Sequence, residues 1–181
     1  MGKIFEKLSS AHQDFIKQQK VFFVATAAAE GSVNLSPKGL DSLHVIDHSS
    51  LLWLNLTGSG NETAAHVLKN PRMTLMFCAF EGAPLILRIH GQAEIFQKGH
   101  PEFENYCDLF PPSVSKRQVY KVKIDRVITS CGFGVPLMTF QKERTLLPEW
   151  ADKKGEEGIK QYWKDKNQKS FDGFETDIPI D

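Results

Sequence analysis

The apolar residues at the start of the chain recur with the spacing of an amphipathic helix. They are Ile4, Phe5, Leu8, Ala11, Phe15 and Ile16, and they predict an N-terminal helix within residues 1–19 that packs against a larger body. From residue 21 the pattern changes to short runs of β-forming residues. Residues 21–27 predict a buried strand, and the turn at Glu30 and Gly31 leads into a segment that pairs back as a hairpin.

Further short strands are predicted as far as residue 130. Residues 43–46 and 51–54 form a second strand pair, and residues 73–80 and 85–96 form a third. Tyr120, Val122 and Ile124 then alternate with charged residues, which is typical of a half-buried antiparallel strand. Many short strands with few helices predict a mainly β fold, a β-barrel with peripheral helices.

The remaining residues predict a polar, partly helical tail that begins near residue 148. In this tail Ile159, Tyr162 and Trp163 share one helical face, which we expect to dock on the barrel or on a second subunit. The 181 residues, of which 41% are hydrophobic, support a single domain over residues 1–181. Its parts are the N-terminal helix (1–19), a barrel core (20–130) and a C-terminal loop and helical tail (131–181).

Charge and cysteine content narrow the classes of function. Lys and Arg number 22, as do Asp and Glu, so no global basic field exists to hold nucleic acid or an anionic membrane. No signal-peptide core or membrane-spanning run is evident, and Cys78, Cys107 and Cys131 are widely spaced. We therefore expect a cytoplasmic protein with reduced thiols, whose partner is a small molecule or a second copy of itself.

A loop rich in glycine, serine and threonine, residues 57–63, leads from a strand into the start of a helix. Such a loop can hold a phosphate, because glycines allow close backbone approach and the first helical turn leaves N–H groups unpaired. The alternative is an ordinary turn whose polar residues cap the helix. The loop matches neither a dinucleotide fingerprint, since Thr63 replaces the third glycine, nor a P-loop, since no lysine follows.

Five segments then follow one another in a characteristic order. They are the strand at 21–26, the run Asn34-Leu35-Ser36-Pro37-Lys38-Gly39, the strand at 51–55, the glycine-rich loop, and residues 69–77 with their Lys-Asn-Pro-Arg start. This ordered set resembles the pyridoxamine 5′-phosphate oxidase-related family of FMN-binding split β-barrels. Residues 88–94 resemble the next barrel strand of that family.

The resemblance implies a homodimer with two FMN sites at the subunit interface, each built from both chains. Lys38 matches the strand lysine of the family, and backbone amides near Leu35 and Leu54 are placed to bond the flavin ring edge. The implied cofactor-binding residues are Asn34, Leu35, Ser36, Lys38, Leu54, Asn55, Thr57, Ser59, Asn61, Glu62, Thr63 and Arg88. The phosphate would rest on Lys38, hydroxyls, backbone N–H groups and Arg88.

The chain departs from the family in its loop. Asn61, Glu62 and Thr63 stand where the oxidases carry a Ser-Arg-Lys run, so two cations are missing and one negative charge is added. We expect Glu62 to stabilise the start of its own helix, while Asn61 and Thr63 act as caps or as ligands. Arg88 lies in an apolar strand and needs a partner, which is the FMN phosphate, Glu62 or solvent.

The activity implied is that of an FMN-dependent oxidoreductase with an unassigned substrate and electron donor. The Arg-x-His substrate motif of the oxidase members is not found in the tail, so we do not expect pyridoxamine-phosphate oxidase activity. A non-catalytic FMN carrier or sensor, a haem-binding split barrel and a deazaflavin in place of FMN stay open. The histidines His44, His66 and His90 lack metal-ligand spacing, so no metal site is expected.

Overall fold

The computed structural model describes residues 2–180, within which eight strands and four helices are found. The strands are β1 (Lys3–Phe5), β2 (Phe22–Thr26), β3 (Asn34–Lys38), β4 (Leu43–Val45), β5 (Ser50–Leu56), β6 (Arg72–Cys78), β7 (Ile86–Gln97) and β8 (Lys116–Ser130). The helices are α1 (Ser10–Gln18), α2 (Glu62–Lys69), α3 (Pro101–Cys107) and α4 (Leu146–Lys166). The expected β-barrel with peripheral helices is confirmed.

All eight strands belong to one antiparallel sheet. Its order is β3-β2-β6-β7-β8-β5-β4, and the short β1 pairs with the far half of β8. The sheet curls until β3, at one end of this order, lies opposite β5, near the other end. The ammonium of Lys38 on β3 thus lies 5.1 Å from the ring centre of Trp53 on β5. The open seam between these two ends positions the site described below.

The interior of the curled sheet is filled by residues that alternate along the strands. On β2 the buried positions are every second residue, as the period of a strand with one packed face requires. Trp53 and Tyr120 stack at the centre of this core with their ring centroids 4.8 Å apart. A second apolar cluster lies under α3, where Phe103 packs with Leu52 and Phe96.

The N-terminal helix begins later than the apolar spacing predicts, so the prediction of a helix over residues 4–8 is wrong. Residues 3–5 form β1, and the helix starts after Ser9, whose hydroxyl accepts the N–H of His12 at 3.1 Å. His12 in turn accepts the N–H of Ser9, which completes a capping box. Phe5, at the end of β1, and Leu8, in the connection between β1 and α1, still pack on the core.

The predicted helical tail is confirmed as α4. Its backbone is interrupted at Gly155, where φ is 65°, a conformation that glycine adopts without strain. Ile159 and Trp163 are buried, and the indole N–H of Trp163 donates to the hydroxyl of Thr57 at 2.9 Å. The tail therefore docks on its own barrel beside the glycine-rich loop. No helix within residues 2–180 is both long and apolar enough to cross a membrane.

Gly91 on β7 provides a test of how closely β7 and β8 pack. The register of these strands shifts between His90 and Gly91, and a methyl group on Gly91 would overlap the carbonyl oxygen of Lys123. We expect Gly91→Ala to lower the free energy of unfolding by about 3 kcal/mol, because a backbone atom cannot move aside. Gly134→Ala, at a position with open space around it, is the control and should change it by less than about 0.5 kcal/mol in urea denaturation.

Candidate functional site

A polar cavity of 330 Å³ lies at the seam between β3, β5 and the start of α2. Eight of the twelve residues implied by the family resemblance line it, together with four further residues. The lining consists of Asn34, Ser36, Lys38, Asn55, Leu56, Gly58, Ser59, Gly60, Asn61, Glu62, Thr63 and Arg117. The fold thus brings β3, β5, the glycine-rich loop and the start of β8 to one place.

The strand alternation of β3 decides which of its residues reach the cavity. Asn34, Ser36 and Lys38 pair with the buried residues Thr26, Val24 and Phe22 of β2 and share their inward direction. Leu35 lies between Asn34 and Ser36 and points outward, and the residue is 63% exposed. The Leu35 side chain is therefore not part of the cavity wall, and only its backbone can contribute.

Lys38 supplies one positive charge at the seam. Its ammonium lies over the face of Trp53, so that the aromatic ring partly replaces lost water. Burial, and to a smaller extent the nearby charge of Arg117, lower the pKa of Lys38 to about 8. Lys38 thus holds a proton at neutral pH but loses it more easily than an exposed lysine.

Arg117 supplies a second positive charge, and it is not among the residues predicted from the sequence. Asn55 pairs with Gln118 and Leu56 with Lys116, so Arg117 is the extra residue of a β-bulge. Such a bulge redirects a side chain, and the Arg117 side chain is only 3% exposed. Burial lowers its pKa to about 10, which still leaves it charged at neutral pH.

The polar contacts of Arg117 are to neutral groups. One guanidinium nitrogen donates to the side-chain oxygen of Asn167 at 2.8 Å and to the carbonyl of Gly58 at 3.5 Å. Its Nε has no hydrogen-bond partner. The ion pairs found within residues 2–180 involve neither Arg117 nor Lys38. Two cations therefore face one cavity without a carboxylate paired to either.

Glu62 also lines the cavity, but its carboxylate is engaged elsewhere. Both of its oxygens accept the backbone N–H of Phe171, each at 3.0 Å. It lies in the first turn of α2, where a negative charge is favourable. The expected structural role of Glu62 at its own helix start is consistent with this position, and the contact to the C-terminal segment adds a second role.

The remaining loop residues divide into those that hold the loop and those that face the cavity. Thr57 is fully buried, donates to the carbonyl of Ser115 at 3.0 Å and accepts the indole N–H of Trp163. It therefore anchors the loop. Asn61 does not cap α2 with its side chain, contrary to expectation, and instead donates to the carbonyl of Asn167 at 3.3 Å. The Asn61 side-chain oxygen lacks a partner.

Thr63 and Asn34 link the helix to β3 across the seam. The amide of Asn34 donates to the Thr63 hydroxyl at 3.2 Å, so these two predicted residues do lie together. The Ser59 side chain is exposed at the rim, and Ser36 lies on the floor between Asn34 and Lys38. These hydroxyls and amides provide donors and acceptors around the two cations.

Besides Leu35 and Thr57, two further predicted residues lie outside the cavity. The side chain of Leu54 is buried under α3, and its backbone N–H donates to the carbonyl of Ser42 at 2.8 Å. Neither the side chain nor the N–H is therefore available at the seam. Arg88 lies on β7 beside Met76 and Ile128 and donates to the Ser130 hydroxyl at 3.0 Å. The strand alternation that buries Leu87 and Ile89 turns Arg88 to the outer face.

Two larger cavities differ in character from the one at the seam. One, of 740 Å³, lies between the end of α1 and residues 138–140. The other, of 540 Å³, lies on the outer face of the sheet, where Arg72 and Arg126 are exposed to solvent. Neither brings buried, uncompensated charges together. The seam cavity is therefore the best candidate for an anionic ligand.

Comparison with known proteins agrees with this geometry. The family model described as pyridoxamine 5′-phosphate oxidase matches residues 8–131, which include every strand except β1. The chain belongs to this family. It is 35% identical over 159 residues to the pyridoxamine 5′-phosphate oxidase family protein ustO of Aspergillus flavus. That match covers 85% of this chain but 62% of the length of the relative.

Solved structures of low sequence identity share the fold. The crystal structure of HupZ from Group A Streptococcus has a TM-score of 0.53 and 23% identity, over 66% of this chain and 91% of its own. A candidate pyridoxamine 5′-phosphate oxidase from Lactobacillus delbrueckii has a TM-score of 0.55 and 21% identity, over 68% and 94%. These likenesses support the split-barrel fold for the two thirds of the chain that they cover.

The ionisation of Lys38 can be measured without any ligand. We expect an NMR titration of its side-chain ¹³Cε to give a midpoint near 8, because burial and Arg117 both disfavour the charged form. In Arg117→Gln the midpoint should rise, since the neighbouring positive charge is removed. Lys20→Met is a control that leaves the seam intact and should not move it. A Lys38 midpoint in the ordinary lysine range would show that the cavity is wetter than the structure indicates.

Proposed function

We propose that this protein binds FMN at the seam cavity and is a flavin-dependent oxidoreductase acting on a small-molecule substrate. The observation that carries the proposal is the convergence of Lys38 and Arg117, two cations without a carboxylate partner, beside the glycine-rich loop. A buried charge without a counter-ion is costly unless a ligand supplies the opposite charge. A phosphate supplies it.

Arg117 would replace one of the cations that the loop lacks. Asn61, Glu62 and Thr63 carry no positive charge where the oxidases carry Arg and Lys. Arg117 brings a guanidinium to the same cavity from β8, through the bulge opposite Asn55. The phosphate would thus be held by Lys38 from one side of the seam and by Arg117 from the other.

Family membership supports a flavin over other phosphate-bearing ligands, since members of this family generally bind flavin. The cavity volume of 330 Å³ lies at the lower end of the range for small-molecule sites, about 300 to 1,000 Å³. It suits the phosphate and ribityl chain, while the ring requires additional surface. Exposed Leu35 on the outer side of β3 and exposed Val33 just before this strand favour a homodimer in which a second copy completes the site.

Bound FMN would supply hydride or electron transfer, and the protein would hold and orient it. Lys38 and Arg117 would bind the phosphate of FMN. The side chains of Asn34, Ser36 and Asn55 would provide hydrogen bonds to its ribityl chain. Arg88, on the outer face, would contribute only across the interface with a second copy.

The phosphate contacts can be tested with FMN and riboflavin, which differ only in the phosphate. We expect the purified protein to bind FMN more tightly than riboflavin by about ten- to a hundredfold, because charge-assisted hydrogen bonds are lost with the phosphate. Lys38→Ala and Arg117→Gln should each weaken FMN binding, measured by flavin fluorescence quenching, and leave riboflavin binding nearly unchanged. Lys20→Ala is the matched lysine control.

Equal affinity for FMN and riboflavin would contradict the phosphate site, and a haem spectrum of the purified protein would contradict the flavin. Reduction of the bound flavin by NADH or NADPH, followed in its visible spectrum, tests the oxidoreductase part separately. A protein that binds FMN but shows no reduction and turnover with either donor would instead be a carrier or sensor.

The affinity for FMN should also depend on pH through Lys38. The protonated ammonium binds the phosphate, and its pKa in the free protein is about 8. Above that pH a proton must first be taken up, so the dissociation constant should rise by up to about tenfold per pH unit. Isothermal titration between pH 7 and 9.5 measures this rise. A slope that persists unchanged in Lys38→Met would show that another group is responsible.

A further inference from the structure

The C-terminal segment, residues 167–178, crosses the glycine-rich loop as a strap. Asp172 accepts the backbone N–H and hydroxyl of Ser32, at 2.7 and 3.0 Å, which ties the strap to the β2–β3 hairpin. At the other side, Gln97 donates to the carbonyl of Asp177 at 2.8 Å. The strap therefore joins the β2–β3 hairpin, at one end of the sheet order, to β7 in its middle.

Asn167 is the residue at which the strap meets the cavity wall. It is fully buried, and its side-chain oxygen accepts from Arg117 while its amide donates to the carbonyl of Gly58 at 3.1 Å. Its backbone carbonyl accepts from Asn61 at 3.3 Å and from Thr176 at 2.6 Å. One residue thus fixes the guanidinium, the loop and the strap together.

We propose that Asn167 is a positioning residue that orients the Arg117 guanidinium toward an anionic ligand while leaving its charge uncompensated. The inference rests on the anion site proposed above and assigns to the strap a part in it. An amide oxygen satisfies one N–H group of the guanidinium but carries no net charge. A carboxylate at the same position would pair with Arg117 and cancel the charge that the cavity presents.

The two acidic residues that bond the strap to its neighbours, Glu62 and Asp172, support the same interpretation. The Glu62 carboxylate is held by the N–H of Phe171, and the Asp172 carboxylate by Ser32. Each is thereby fixed by a backbone donor and forms no ion pair with Lys38 or Arg117. The strap thus contacts Arg117 through a neutral group, while these two acids are bonded to backbone N–H groups and not to either cation.

The test compares Asn167→Asp with Asn167→Ala in binding of inorganic phosphate, measured by isothermal titration and by the phosphate-dependent rise in Tm. Asn167→Ala should weaken phosphate binding about threefold, because the guanidinium is less well held. Asn167→Asp should weaken it by about tenfold or more, because the new carboxylate pairs with Arg117. A purely structural role predicts the opposite order, since Asp preserves the shape of Asn. Asp172→Asn, which loosens the strap away from the cations, is the control and should change the affinity by less than about twofold.

A double-mutant cycle covers the case in which Asn167→Asp does not fold. If Asn167 acts through Arg117, Asn167→Ala should have no further effect on phosphate binding in the Arg117→Gln background, where Lys38 still provides residual affinity. Additive losses would overturn the inference, as would equal affinities of the Asp and Ala variants or a wild-type protein that binds no phosphate. Binding of phosphate in the predicted order without binding of FMN would support the role of Asn167 and contradict the proposed flavin alone.

Discussion

The charge of Arg117 lies in the interior without an opposing charge, and the surrounding elements are arranged to accommodate it. Burying a guanidinium removes its hydration, which a protein must replace with dipoles or a counter-ion. Here the replacement is partial. The side chain of Asn167 and the carbonyl of Gly58 accept hydrogen bonds from one guanidinium nitrogen, whereas Nε has no partner. The protein without a ligand thus bears a desolvation cost at Arg117 that a bound anion would offset.

The open seam of the sheet makes this arrangement possible. In a fully closed barrel, backbone hydrogen bonds would join the end strands β3 and β4, and no open seam would remain beside β3. Here the ammonium of Lys38 lies over the face of Trp53, and the amide of Asn34 donates a hydrogen bond to the hydroxyl of Thr63 at the start of α2. Side chains rather than backbone groups therefore bridge the two ends of the sheet, and they do so at the cavity.

The strands and the general place of the site could be predicted from the sequence, because alternation, turns and motif order are local properties. The inward set Asn34, Ser36 and Lys38 follows from the alternation of one strand. Arg117 could not be found in this way, since its direction depends on a bulge in the pairing of β8 with β5. Its only local signal is the pair of basic residues, Lys116 and Arg117, that opens the last strand.

The misplaced predictions have the same origin. Leu54 and Arg88 were assigned to the cofactor by their position in a motif, whereas the face on which each side chain lies is set by pairing with distant strands. The N-terminal helix was predicted over residues that instead pair with β8, because apolar residues within a few positions of one another suit either structure. Tertiary pairing decided all three cases.

The strap has a consequence for when the site forms during synthesis of the protein. The sheet and the glycine-rich loop are complete in sequence by Ser130, and domains fold as the chain emerges. Asn167 is made later, so a nascent chain passes through a stage in which every strand has been made and Arg117 lacks its Asn167 partner. Cleavage of the chain after Lys166 would separate Asn167 from the barrel and remove that partner again.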